Sequence, residues 1–125
     1  MSIIISVNPP YSALLVDGIK KIEWRKRFLP RGKAFIYETK KHGGIGAVIG
    51  EVEIVGEYWC VANAITPDDI SRGCVDAEHL LAYANGEVML AANFAENGIR
   101  YKETRPLSDF GLKRPPQSWC YVEGL

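Results

Sequence analysis

A lysine, a carboxylate and a guanidinium lie within six residues of the chain, at Lys20, Glu23 and Arg25. A lysine ammonium is a compact charge that binds phosphate or, when desolvated, polarises a carbonyl. A glutamate accepts hydrogen bonds from a base amino group or acts as a general base, and the planar arginine fork fits phosphate. In an enzyme, Lys20 would stabilise a developing oxyanion and Glu23 would activate water. These residues are therefore the candidate centre of a binding or catalytic site.

A purely structural interpretation of the same residues stays open. Glu23 and Arg25 are two positions apart, so on a strand they share a face and could pair with each other at the surface. Such an exposed pair contributes only about 0–1 kcal/mol and implies no function. Trp24 points to the opposite face of that strand, which favours a place in the core over a stacking platform for bases.

The surrounding segment is strongly basic, although the net charge of the chain is zero. Between residues 20 and 41 lie nine of the fifteen lysines and arginines and only two acids, so the segment carries 9 − 2 = +7 and the remainder −7. Concentrated positive charge in a neutral protein favours an anionic ligand. Basic groups interleaved with aromatic residues are typical of single-stranded nucleic-acid sites. Further candidate contacts are Lys21, Lys40, Gln117 and Ser118.

The motif is placed by a helix that ends just before it and a strand that contains most of it. Residues 3–7 are mostly β-branched and predict a first strand. Two prolines then precede a short helix, and Gly18 suits the left-handed position at which helices end. From residue 22 to 29 apolar and polar residues alternate, which predicts a second strand. Lys20 meets the other two charges only if it belongs to the turn after Gly18 rather than to this strand.

The rest of the chain predicts further short strands and two helices. Strands are expected at residues 34–39, 47–59 and 119–122. Gly50 and Gly56 are candidate bulges or barrel bends in the longest of them. Thr66 and Asp76 each resemble the cap of a helix. The stretch 88–101 is ambiguous between helix and strand, with strand favoured over its second half. This pattern predicts an α+β fold: a small, mostly antiparallel β-barrel with a few short helices.

Composition excludes several other classes of protein. With 125 residues and 47% hydrophobic content, the chain is expected to be one globular domain over residues 1–125. No apolar run approaches the roughly 18 residues that span a bilayer, and the N-terminus lacks a secretory signal pattern, so a cytoplasmic location is expected. The three cysteines lie far apart, which predicts reduced thiols and no metal site. The glycine-rich stretch 43–46 lacks the P-loop pattern, and no cofactor is expected.

The pattern Gly18-x-Lys20-x-x-Glu23-x-Arg25 resembles the GxKxxExR signature of the ASCH domains, which belong to the PUA-like superfamily. Supporting similarity runs through residues 6–12, 36–39, 48–52, 105–108 and 115–119, with a divergent middle. The resemblance implies a PUA-like β-barrel in which the first helix lies near the barrel mouth and the signature lines a cleft. Relatives of this kind are thought to bind RNA, and some ASCH proteins are hydrolases, either ribonucleases or enzymes that deacetylate acetylcytidine. In that last group a catalytic threonine stands where this chain has Glu23, which argues against deacetylation.

The sequence thus predicts a binding module for RNA or other single-stranded nucleic acid, with a small nucleoside as a further possible ligand. The expected nucleic-acid contacts are Lys20, Lys21, Glu23, Arg25, Lys40, Gln117 and Ser118. The alternative is a small metal-independent hydrolase acting on RNA or a modified nucleoside, with Lys20 and Glu23 as its catalytic residues. A structural or protein-interaction role is a third interpretation, which a cleft filled by apolar side chains would favour.

Overall fold

A computed structural model describes residues 1–123 of the protein. Within these residues, six strands and three α-helices follow one another. In order they are β1 (Ser2–Val7), α1 (Tyr11–Val16), β2 (Ile22–Arg25), β3 (Gly32–Glu38), β4 (Ala47–Val61), α2 (Pro67–Gly73), α3 (Ala77–Ala84), β5 (Met89–Arg105) and β6 (Trp119–Val122). Short 3₁₀ turns at Lys41–Gly43 and Leu107–Phe110 complete the described secondary structure. No helix in residues 1–123 is long and apolar enough to cross a membrane.

The strands form one mixed sheet in the order β2-β5-β4-β3-β1-β6. Among the strands of residues 1–123, β1 and β3 run parallel to each other and the other neighbouring pairs are antiparallel. An α+β fold with a mostly antiparallel sheet is therefore confirmed. Within the described residues, ladder pairing leaves β2 and β6 as the two edges, so the sheet is not closed into the predicted barrel.

The sheet nevertheless curls strongly because its two longest strands are irregular. The register between β4 and β5 shifts at three places, between Val48 and Gly50, between Glu51 and Glu53, and between Ile54 and Gly56. Two of these irregularities adjoin the glycines at which bulges or barrel bends were predicted. Bulges increase twist and bend the strand that carries them. The curl brings the edge strand β2 close to β1, where the Arg25 guanidinium donates a hydrogen bond to the Ser6 carbonyl at 3.0 Å. Side chains, not a backbone ladder, link the two ends of the sheet here.

Among the described residues three apolar clusters hold the fold together, and two of them pack the α-helices against the sheet. One packs α1 against the concave sheet and includes Leu15, Val16 and Ile36. The other packs α2 and α3 over β2 and β5 and includes Trp24 and Leu80. Trp24 is buried, as the strand alternation predicted. The second cluster fixes the position of the two helices relative to the strand that carries the motif.

The predicted helix caps are present. The Thr66 hydroxyl accepts a hydrogen bond from the Asp69 amide at 3.1 Å, and the Asp76 carboxylate accepts one from the His79 amide at 2.8 Å. These bonds satisfy amides that have no partner within their own helix. Asn85 follows α3 in the left-handed region with φ 49°. Local sequence was sufficient to place both helices.

Two strand predictions need correction. The predicted strand 22–29 ends at Arg25, because the Leu29 amide bonds to the Asn93 side chain at 2.8 Å instead of continuing the ladder. The ambiguous stretch 88–101 is strand from Met89 onward, within β5. Its first half pairs with both β2 and β4, so ladder bonds on both sides decide its conformation.

Candidate functional site

A cleft of about 750 Å³ lies between β1, the turn before β2, and α3. Five of the predicted site residues line it: Lys20, Glu23, Arg25, Lys40 and Gln117. The aromatic residues that line it are Tyr11, Trp24, Tyr37 and Tyr83. Lining of this kind, mainly apolar and aromatic with a few convergent polar groups, is typical of ligand-binding sites.

The turn after α1 brings Lys20 to the cleft. Gly18 adopts the left-handed conformation with φ 76°, as predicted for the residue that ends the helix. The amides of Ile19 and Lys20 then both donate to the Leu14 carbonyl, at 3.0 and 2.9 Å. Lys20 therefore belongs to the turn and precedes β2, which was the condition for it to meet the other two charges of the motif.

Lys20 is a buried cation, with only 2% of its surface exposed. Its ammonium donates a hydrogen bond to the Gly73 carbonyl at the end of α2. The same nitrogen lies 3.8 Å from Oε1 of Glu23 and 5.4 Å from the ring centre of Tyr11. Burial lowers the pKa of Lys20 below the usual lysine value, while the Glu23 carboxylate opposes that shift.

Arg25 holds the other oxygen of Glu23. Its Nε and Nη2 donate to Oε2 at 3.0 and 2.8 Å, and its remaining bonds go to the Ser6 carbonyl and, at 3.1 Å, the Ser118 hydroxyl. The Glu23 and Arg25 side chains are only 8% and 15% exposed, so the pair is not the surface pair that the sequence left open. The arginine fork is occupied by the protein, and its role is to orient Glu23.

Asn93 on β5 supports the strand that carries the motif, and no prediction from the sequence included it. It is fully buried, donates through Nδ2 to the Glu23 carbonyl at 3.1 Å, and accepts from the Leu29 amide through Oδ1. Both ends of its amide are thus satisfied, which fixes β2 and the chain beyond it. The available signal was a single polar residue in the apolar run Leu90-Ala-Ala-Asn93.

Two predicted residues lie outside the cleft. Lys21 points away from it, half-exposed, with its Nζ 3.5 Å from Glu96 on β5. Ser118 lies in a smaller cavity beside the cleft and reaches the motif only through its bond to Arg25. Tyr83 on α3 lines both cavities, but the sequence analysis did not single it out.

The fold disperses much of the basic segment. Arg31 and Lys33 face carboxylates of β4 at 3.0 and 3.7 Å, whereas Arg27 only approaches Glu87 at 3.9 Å. The segment of charge +7 is therefore not a continuous basic surface, because acids from the rest of the chain neutralise part of it. Lys40 and Lys41 are exposed at the cleft and form no ion pair within the described residues. These two lysines leave positive charge at the cleft for a ligand.

The buried lysine predicts an unusual pH dependence of stability. Its pKa is lowered in the folded protein, so between that pKa and the ordinary 10.5 the unfolded chain binds more protons than the folded one. The free energy of unfolding should therefore rise with pH across this window. Urea unfolding of the wild type and of Lys20→Met, measured in steps from neutral pH to 10.5, tests this. The free energy of unfolding of the wild type minus that of Lys20→Met should rise with pH. A difference that stays constant or falls contradicts the prediction.

Solved structures place this fold among the ASCH domain proteins. An ASCH protein from Zymomonas mobilis matches with a TM-score of 0.84 at 20% identity, over 98% of this chain and 87% of that chain. A tyrosine-to-phenylalanine variant of it matches with the same TM-score at 19% identity, over 98% and 90%. A protein from Enterococcus faecalis matches with a TM-score of 0.51 at 14% identity, over 74% and 72%. The chain has the ASCH fold, as the signature predicted.

Family models and curated sequences add nothing to this structural likeness. No family model matches the chain, and no curated protein matches it in sequence.

Among residues 1–123, no three His, Cys, Asp or Glu side chains come together in a way that could hold a metal ion.

Proposed function

We propose that the protein binds single-stranded RNA and receives one nucleoside of the strand in the cleft. The observation that carries the proposal is a buried, charged floor, Lys20 beside Glu23, in a cleft with aromatic walls. Its volume of about 750 Å³ lies within the range of roughly 300–1,000 Å³ that small-ligand pockets occupy. A floor of this kind suits a polar base edge, and the walls suit its flat faces.

The partners of each floor residue leave specific atoms for a ligand. Arg25 bonds to Oε2 of Glu23, so Oε1 can accept from the amino group of a base. The Lys20 ammonium has three donors, of which the Gly73 carbonyl takes one. A ligand carbonyl can accept another of them. Tyr11 and Tyr83 line the cleft as candidate stacking surfaces.

The rim supplies contacts for the sugar-phosphate backbone. Lys40 and Lys41 are exposed at the cleft and have no carboxylate partner within the described residues. Gln117 reaches the cleft from the chain after Pro115 and Pro116 and offers both donors and acceptors. Phosphate contacts position a strand without selecting its sequence, whereas the buried floor distinguishes bases.

Binding to RNA should be salt-dependent through the rim lysines. Fluorescence anisotropy with a mixed-sequence octaribonucleotide, measured over a series of salt concentrations, gives the slope of log K against log salt. Removal of both charges in Lys40→Ala with Lys41→Ala should reduce this slope by about 1.4, or roughly 0.7 per phosphate contact. Lys20→Met should weaken binding about tenfold, the loss of one charged hydrogen bond.

A matched control carries the same loss of charge away from the cleft. Arg31→Ala with Lys33→Ala removes two cations of the same segment that face Glu57 and Glu51. This control should keep the wild-type slope. The proposal fails if the octamer does not bind at low salt, or if the rim and control variants lose equal affinity. Equal affinity for the corresponding deoxyoctamer would extend the ligand to single-stranded nucleic acid in general.

A second candidate function is metal-independent hydrolysis of RNA or of a modified nucleoside. The observation in its favour is the Lys20 ammonium 3.8 Å from Oε1 of Glu23 at the floor of the cleft. In that geometry Lys20 would stabilise an oxyanion and Glu23 would activate water. Incubation with RNA and with N-acylated nucleosides, compared between the wild type and Glu23→Gln, tests it. Equal product formation by the two proteins rejects catalysis by this pair.

A further inference from the structure

A smaller cavity of about 270 Å³ lies directly beside the cleft. Two residues, Arg25 and Tyr83, line both cavities, so the two spaces are neighbours across a shared wall. Lys26, Arg27 and Trp119 are among the other lining residues. The proposed function assigns no role to these three side chains, although the first two follow the signature directly.

The lining of the smaller cavity combines cations with aromatic surfaces. The Lys26 ammonium lies 5.6 Å from the ring centre of Tyr83, which is a cation–π distance. Arg27 is 73% exposed at its side chain and reaches Glu87 only at 3.9 Å, a weak surface contact. Trp119 is half-buried and packs edge-on against Tyr121 at 5.2 Å between ring centres. Cations beside aromatic rings are the combination that holds a single nucleic-acid strand.

We propose that this second cavity holds the nucleotide adjacent to the one in the cleft, so that the ligand is a strand and not a free nucleoside. The inference rests on the proposed function and makes it more specific. Lys26 and Arg27 contact the phosphate that joins the two nucleotides, and Tyr83 and Trp119 contact the second base or sugar. Because every base has an aromatic face, this second site tolerates any base.

The geometry at the shared wall supports a strand that passes from one cavity to the other. Arg25 is held by Glu23, Ser6 and Ser118, so it forms a fixed boundary and does not swing into either space. Tyr83 projects from α3 and remains partly exposed between the cavities. The two cations stand on the side of that boundary away from the cleft floor, where a connecting phosphate leaves the first site.

The length of the oligonucleotide is the variable that tests this inference. Competition binding compares mixed ribonucleosides, which carry no phosphate, with mixed-sequence dinucleoside monophosphates for the wild type. The dinucleotide should bind about tenfold more tightly, which is within the range measured for one additional stacked base. In Lys26→Ala with Arg27→Ala this gain should largely disappear, while the nucleoside binds as it does to the wild type. Arg31→Ala with Lys33→Ala, which removes the same charge elsewhere, should keep the gain.

The outcomes separate this inference from the function on which it rests. If neither nucleosides, dinucleotides nor the octamer bind, both proposals fall. If nucleosides bind and dinucleotides bind no more tightly, the second site is rejected while nucleoside binding in the cleft stands. The second site is also rejected if Lys26→Ala with Arg27→Ala weakens both ligands equally. The length series of the wild type decides the question even if the double variant proves unstable.

Discussion

Replacement of Glu23 by alanine should lower the free energy of unfolding by about 3–5 kcal/mol at neutral pH, the usual cost of removing one partner from a buried ion pair. Glu23 lies between two cations, with Oε1 3.8 Å from the Lys20 ammonium and Oε2 2.8 Å from Arg25 Nη2. Without the carboxylate, two positive charges face each other with little access to water. Urea unfolding followed by tryptophan fluorescence measures the change.

The destabilisation of Glu23→Ala should shrink as the pH rises toward 10.5. Glu23 raises the pKa of Lys20 against the lowering effect of burial, so its removal lowers that pKa further. The folded variant can then release the proton of Lys20, which relieves the repulsion with Arg25. The double variant Lys20→Met with Glu23→Ala should be more stable than Glu23→Ala alone, since only one of the two facing cations remains.

An exposed pair of the same type provides the control. Glu96 lies 3.5 Å from Lys21, and both side chains are substantially exposed. Glu96→Ala should change the free energy of unfolding by no more than about 0.5 kcal/mol. If Glu23→Ala costs no more than this control, the buried charges contribute nothing to stability and the arginine has no positioning role.

Helix ends and bulges could be predicted from the sequence because their causes are local. Gly18, Thr66 and Asp76 mark helix boundaries through backbone conformation or a bond to an amide three residues away. The path of β5 could not be predicted, because ladder bonds to β2 and β4 on its two sides decide it. The end of β2 was also missed, since it depends on the side chain of Asn93 from a distant strand.

The residues of the candidate site could be predicted from the sequence, but their hydrogen bonds and ion pairs could not. Sequence spacing placed Glu23 and Arg25 together and made the position of Lys20 depend on the turn after Gly18. It gave no signal that Arg25 would donate to Ser6 and Ser118, which lie 19 and 93 residues away. The charge of −7 on the rest of the chain indicated that acids could balance the basic segment, but not which of them would reach it. Both facts arise from contacts across the sheet and leave no local pattern.

Alanine in place of Gly73 should destabilise the protein by about 2–3 kcal/mol and weaken ligand binding at the same time. A Cβ at this position would lie 2.1 Å from Nε1 of Trp24 and 3.0 Å from two of its ring carbons. Trp24 is buried, and its Nε1 has no hydrogen-bond partner within the described residues. Neither the ring nor the last turn of α2 can accept a methyl group without moving.

Movement of α2 would disturb the cleft by breaking or shifting two hydrogen bonds. The Gly73 carbonyl accepts the hydrogen bond of the Lys20 ammonium, and the preceding carbonyl, of Arg72, accepts from the Lys21 amide at 2.7 Å. Displacement of this turn would leave the buried ammonium without its acceptor and shift the start of β2. Gly73→Ala should therefore lose affinity for the octaribonucleotide although it replaces no side chain that lines the cleft, and unchanged affinity would show that this turn does not support Lys20.

A matched glycine separates the close approach from the general effect of adding a methyl group. Gly56 does not lie in the left-handed region, and a Cβ there would meet only Cδ2 of Phe94 at 3.5 Å, an ordinary contact. Gly56→Ala should change stability by less than about 1 kcal/mol. Trp24→Phe, which removes the indole nitrogen and reduces the ring, should cost less in the Gly73→Ala background than in the wild type, because it relieves the clash. If Trp24→Phe and Gly73→Ala lower the free energy of unfolding additively, Trp24 does not constrain this turn. The same conclusion follows if Gly73→Ala and Gly56→Ala lower it equally.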